Sequence, residues 1–128
     1  MPTPPRSAAD RAFERARTLC LALPEATEKE AWGSPTFRVR GKKMFAMLLD
    51  DHHGDGRLAL WLKSDLATQD LLVEADPKRF FVPPYTGPSG WVGVRLEGRP
   101  SWKQIEGLTE AAYRLVAPKK LIAELDAR

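Results

Sequence analysis

A two-layer α+β domain, with helices packed on a mainly antiparallel sheet, is expected from three observations. The 128 residues, 43% hydrophobic and 29% charged, amount to one domain with the composition of a globular protein. Two segments carry apolar residues at helical spacing: Ala12, Phe13, Ala16, Leu19, Cys20 and Leu23, then Ile105, Leu108, Ala112, Leu115 and Val116. Between them lie short runs that alternate or stay apolar throughout, which is the pattern of strands. The expected order is α, three or four β, α, two β, α, α, in one domain over residues 1–128 with 1–6 frayed.

Ser7 is a candidate N-cap for the first helix, and Pro24 stops that helix because it has no N–H to donate. Cys20 falls on the buried stripe and reads as core. From Ala26 the period changes. Trp32-Gly33-Ser34-Pro35 separates one extended piece from the next, and Thr36 to Arg40 alternates, with Phe37 and Val39 on one face and Arg38 and Arg40 on the other. Gly41-Lys42 is the expected two-residue turn into the apolar strand Lys43–Leu49. A polar loop, Asp50 to Gly56, then leads to the strand Arg57–Leu62, making a meander. A second helix is expected from a Ser64 cap through Leu66, Leu71, Leu72 and Ala75. The turn-rich segment Pro83–Gly90 joins strands at Phe80–Val82 and Trp91–Leu96 as a long-looped hairpin. Ser101 and Gln104 form a capping box for the third helix, and Pro118 suits the first position of a last one, Lys119–Ala127.

Lysine and arginine number 20 against 17 acids, a formal charge of +3, and the pI is about 9.2. Residues 1–43 hold nine of the cations and five of the acids, so a local basic patch is favoured over a global field. No apolar run approaches the roughly 20 residues needed to span a bilayer, and the N-terminus lacks the apolar segment of a secretory signal, so a cytoplasmic protein without membrane contact is expected. A single cysteine neither staples the fold nor builds a thiolate zinc site. No GxSxG, HExxH or P-loop pattern occurs, and catalysis is the minority reading. His52 and His53, with Asp50, Asp51 and Asp55, are metal-ligand types on a glycine-broken loop. They read as a solvated turn, so no metal or cofactor is expected.

The order of elements, the segment from Trp32 to Lys42, the stretch Phe80–Gly87, Gly90-Trp91-Val92 and Val116–Leu121 together resemble the MmcQ/YjbR family, over roughly Ala12 to Leu125. The resemblance implies a CyaY-like or secretion-chaperone-like α+β fold, a bacterial cytoplasmic setting and a DNA-binding label that rests largely on fold-level analogy. The loop with the paired histidines departs from the family pattern, and no function is carried to it.

Two constellations are candidate sites. Arg38, Arg40, Lys42 and Lys43 crowd a hairpin tip that could follow phosphates, joined by Lys119 and Lys120 if these share its face; cations on an exposed strand are equally an ordinary solubilising choice. Trp32, Phe37, Tyr85 and Trp91 flank glycine and proline and either line a ligand cleft or plug the end of the core. The leading expectation is a monomer or weak homodimer that binds nucleic acid weakly through phosphates. The alternative is a protein-interaction or chaperone-like adaptor using an apolar or aromatic surface.

Overall fold

A computed structural model describes residues 8–51, 54 and 56–128. Four helices and six strands occur among them: α1 (Ala8–Leu21), β1 (Ala26–Ala31), β2 (Ser34–Val39), β3 (Lys43–Asp50), β4 (Leu58–Leu62), α2 (Leu66–Ala75), β5 (Phe80–Phe81), β6 (Val92–Arg95), α3 (Trp102–Arg114) and α4 (Lys119–Asp126). The strands form one antiparallel sheet in the order β1-β2-β3-β4-β6-β5. The expected α+β class and meander are therefore present. Ser7, His52, His53 and Asp55 lie outside the described residues, as does the stretch expected to be frayed.

Strand alternation divides the sheet into two faces. Val39, Leu48, Leu60 and Val94 face the helices and join Ala16, Cys20, Ile105, Ala112, Leu121 and others in the main core. Tyr113 of α3 sits at its centre, its ring edge-on to Phe45 at 5.7 Å and its hydroxyl donating to the buried Pro24 carbonyl at 2.7 Å. Phe45 reaches that face through a bulge. Phe37 pairs with Ala46 but Arg38 pairs with Met44, so Phe45 is an extra residue in β3, and it and Ala46 both enter the main core.

Turn chemistry shifts two expectations. The β2–β3 turn is centred on Arg40-Gly41, with φ of 53° and 70°, and closes through Lys42 N–H to Val39 O at 3.0 Å. Two left-handed residues match the twist of a tight hairpin better than Gly41-Lys42 would. The β1–β2 hairpin repeats the device at Trp32-Gly33, with φ of 54° and 77°. The caps follow side-chain chemistry. Ser101 accepts from Gln104 N–H as expected, but Asp65 rather than Ser64 caps α2, accepting from Thr68 N–H at 2.8 Å, and those bonds hold its carboxyl below the usual range. Pro118 stands at the N-cap of α4, one position earlier than expected.

In α2 the expected apolar face is only partly used. Leu66 and Leu71 are exposed while Gln69 is buried. Helical spacing cannot separate a leucine facing solvent from one facing the core when only about three turns are available.

No described helix is long and apolar enough to cross a membrane. Cys20 is fully buried, and burial, followed by the nearby Glu28 carboxylate, pushes its thiol well above the ordinary value. The native protein should therefore resist an aromatic disulfide thiol reagent, with labelling appearing only at the rate of unfolding. Rapid stoichiometric labelling in native buffer would contradict this placement.

Candidate functional site

None of the four α-helices packs on the second face of the sheet. Its register forms a row across all six strands: Lys29 pairs with Thr36, Thr36 with Met47, Met47 with Trp61, Trp61 with Gly93, and Gly93 with Phe81. Met47, Leu49, Ala59, Trp61, Phe81 and Trp91 form a separate small core there, with Met44 against it. Gly93 is required in this row: a Cβ at that position would lie 2.3 Å from the Phe81 ring, which fills the space over the glycine. Arg57 caps the same ring at 4.1 Å.

What covers this face is the connection between β5 and β6, and α2 anchors it. The buried Gln69 amide donates to Gly87 O at 2.8 Å and Trp91 O at 2.6 Å. Gly90, at φ 94°, lets the loop approach the Asp65 backbone so closely that a Cβ would lie 2.7 Å from it. At the tip, Thr86 N–H bonds back to Pro84 O at 2.7 Å, with Tyr85 at φ 65° between them. This is the rarer, strained form of γ-turn.

Between this loop and the β1–β2 turn lies a cleft of about 700 Å3, lined by Trp32, Ser34, Met47, Asp50, Trp61 and Tyr85 among others, within the range of small-ligand sites. Trp32 is 74% exposed and Tyr85 76%. Both stand on left-handed backbone, which costs a non-glycine residue about 1–2 kcal/mol. The Trp32 side chain makes no hydrogen bond, ring contact or cation contact among the described residues. The Thr86 hydroxyl, in the cleft wall, is buried without a hydrogen-bond partner. A second groove of about 560 Å3 runs between the start of α1 and Trp102. There Arg15 already stacks on Trp102 at 4.7 Å and Glu97 accepts from Leu58 N–H, so its charged groups are occupied internally.

The expected aromatic set is thus divided. Trp32 and Tyr85 flank one cleft. Phe37 is fully buried on the helix side, because it alternates with Thr36 and Arg38, which face the other way. Trp91 is buried in the small core and does not line the cleft. Asp50, Met44, Met47 and Thr86 are lining residues that the sequence reading missed. The paired methionines in β3 were a signal of a soft apolar wall, but the bulge that sets their orientation leaves no trace in alternation.

The basic set is divided too. Arg38 lies on the open face, opposite Thr27 and Met44, its guanidinium held by Thr36 Oγ1 and Lys42 O, each at 3.2 Å. Arg40 does not present a free charge: its guanidinium meets the Glu25 carboxylate at 2.9 Å. Lys43 pairs with Val39, a core residue of the helix side, and Lys119 and Lys120 open α4 in the helical layer. The six expected cations therefore do not make one surface. Lys29, which was not among them, shares the open face with Arg38, and neither has a carboxylate within ion-pair distance among the described residues. No group of three His, Cys, Asp or Glu side chains gathers as metal ligands among the described residues.

Fold and cleft define a class: a small α+β protein whose helices shield one sheet face while the other presents an aromatic-flanked cleft. The chain belongs to the YjbR family, whose model matches residues 21–115, a span that holds the whole sheet and the cleft. It is similar in fold to the crystal structure of Deinococcus radiodurans protein DR2400, with family-model domain DUF419. The identity is 24%, coverage is 98% of this chain and 92% of that one, and the TM-score is 0.67. No curated protein matches.

Gln69 is the strut of this site. Gln69→Leu removes the donor from Gly87 O and Trp91 O and should cost about 1–3 kcal/mol in chemical denaturation, with faster amide exchange over Thr86–Trp91. Unchanged exchange there would mean the loop is held by packing alone.

Proposed function

We propose that the chain is a binding protein for single-stranded nucleic acid. An unstacked base lies in the cleft between Trp32 and Tyr85, and Lys29 and Arg38 on the same face take the neighbouring phosphates. The observation that carries this reading is the aromatic pair. Both rings are about three-quarters exposed, both stand on strained backbone, and both flank one cleft. Hiding either ring would gain stability, so a fold that holds two outward at one place forgoes that gain and accepts strain there, the usual mark of a binding site.

Base–aromatic stacking is available only where bases are not already stacked in a duplex. The open face also joins an apolar floor of Met47 and Trp61 to a cationic side at Lys29 and Arg38, the combination that single strands require. A hairpin-tip mode supports nucleic-acid binding less well, because Arg40 is neutralised by Glu25 and the remaining cations divide between faces.

The test is anisotropy titration of short labelled oligonucleotides. Single strands should bind more tightly than duplexes of the same sequence. Trp32→Ala and Tyr85→Ala should each weaken single-strand binding about 5- to 150-fold, following the ~1–3 kcal/mol per stacked base. Replacing Lys29 and Arg38 by Ala should flatten the salt dependence, by a slope of about 0.7 per lost phosphate contact. Duplex affinity equal to single-strand affinity, with both aromatic variants unaffected, would overturn the proposal.

A further inference from the structure

Resting on the reading of the open face as a single-strand site, we infer that Arg38 is a preset fork for one phosphate of the strand and that Thr36 is the residue that sets it. Thr36 is fully buried, although it belongs to the open face, where the register places it between Lys29 and Met47. Its hydroxyl has two partners: it donates to Lys29 O at 2.6 Å and accepts from Arg38 Nε at 3.2 Å. A hydroxyl carries one hydrogen, and the short bond to Lys29 O commits it. Toward Arg38 the oxygen therefore acts only as an acceptor. Lys42 O holds the guanidinium from a second direction, accepting from Nη1 at 3.2 Å.

A guanidinium has five N–H groups, and these bonds use two of them, on Nε and Nη1. Both on Nη2 and one on Nη1 remain, and Arg38 has no carboxylate within ion-pair distance among the described residues. Phosphate takes such a pair of parallel N–H bonds from arginine. Arg38 stands directly across from Met44, which lines the cleft, so the fork lies beside the place where the base stacks. Arg40 shows the contrast, its guanidinium already spent on Glu25. Valine would fill the position of Thr36 in a buried strand equally well, so packing alone does not call for the hydroxyl. What the hydroxyl adds is an oriented acceptor for Nε. Ordering a long side chain on binding costs about 2- to 12-fold in affinity, and an arginine already held in place avoids that loss.

The experiment titrates the full chain with a labelled single-stranded thymine oligonucleotide of about ten nucleotides, within the site sizes of single-strand binders. Thr36→Val should weaken binding about 2- to 12-fold, and Thr36→Ser, which keeps the hydroxyl, should bind as the unaltered protein does. Arg38→Lys, which keeps the charge and loses the fork, should also weaken binding. The deciding measurement combines them. The Arg38→Lys protein has no Nε–H for the hydroxyl to hold, so adding Thr36→Val should change its affinity no further. A threonine that only braced β1 through Lys29 O would cost the same in both backgrounds. Equal losses in both, unchanged binding by Thr36→Val, or full affinity in Arg38→Lys overturns the assignment. Should Thr36→Val fail to fold, Thr36→Ala takes its place in the cycle and is read by the same outcomes. If the strand binds, is weakened by Trp32→Ala and ignores Thr36→Val, the preset fork falls and the stacking reading stands; if no strand binds, both fall.

Discussion

All four helices pack on one face of the sheet, and that one-sidedness governs everything on the other. A six-stranded sheet with an apolar row on its second face must cover that row or leave it to a partner. This protein covers most of it: Met47, Leu49, Ala59, Trp61, Phe81 and Trp91 are all buried. Phe81 folds over the gap left by Gly93, Arg57 caps Phe81, and Trp91, at the end of the β5–β6 connection, packs into the same small core. What stays open is the cleft beside Met44, Met47 and Trp61. The Gln69 amide ties the loop to the helical layer through Gly87 O and Trp91 O and so fixes where the loop lies.

The positive-φ residues sort themselves by whether the local structure uses them. Arg40 accepts a left-handed backbone in return for two partners on one residue, its N–H to Glu25 O at 2.9 Å and its guanidinium to the Glu25 carboxylate. Asp51 likewise donates its own N–H to Arg57 O and accepts from Gly56 N–H at its carboxylate. Trp32 has no such return from its side chain. It occupies a hairpin position where asparagine or glycine would fit at lower cost, and it projects the largest side chain available toward solvent. The contrast separates strain that serves folding from strain at a site.

Much of the fold was legible because its signals are local. The Ser101 cap, the Pro24 stop and the alternation in β2 each depend on residues a few positions apart, and each appears in the structure. What failed depends on distance. The turn at Arg40-Gly41 needs two left-handed residues, one of them an arginine, and the bulge at Phe45 is a property of a strand pair, which a single strand's pattern cannot reveal. Gln69 gave no signal in the sequence because its partners, Gly87 O and Trp91 O, lie 18 and 22 residues away. Phe37 and Trp32 were grouped as aromatics flanking glycine and proline, but alternation sends Phe37 into the core while the hairpin turn sends Trp32 outward. The cleft was therefore half visible: its aromatic rims stood beside glycine and proline, whereas its floor, Met47 and Trp61, came from strands that read simply as buried.

The same geometry argues about what kind of ligand the open face suits. A duplex presents two rails of phosphate and hides its bases, so it is held by cations spread over one broad surface. Here Arg38 faces one way, Lys43 and the α4 lysines the other, and Arg40 is already neutralised. No rotation of a rigid duplex satisfies all of them. The open face instead brings together an apolar floor at Met47 and Trp61, two projecting rings at Trp32 and Tyr85, and two cations at Lys29 and Arg38. That arrangement matches a ligand that is itself heterogeneous, planar and apolar in one part and anionic beside it. A charge-driven surface would tolerate almost any polyanion, whereas a cleft flanked by rings favours the ligand whose planar part can enter it.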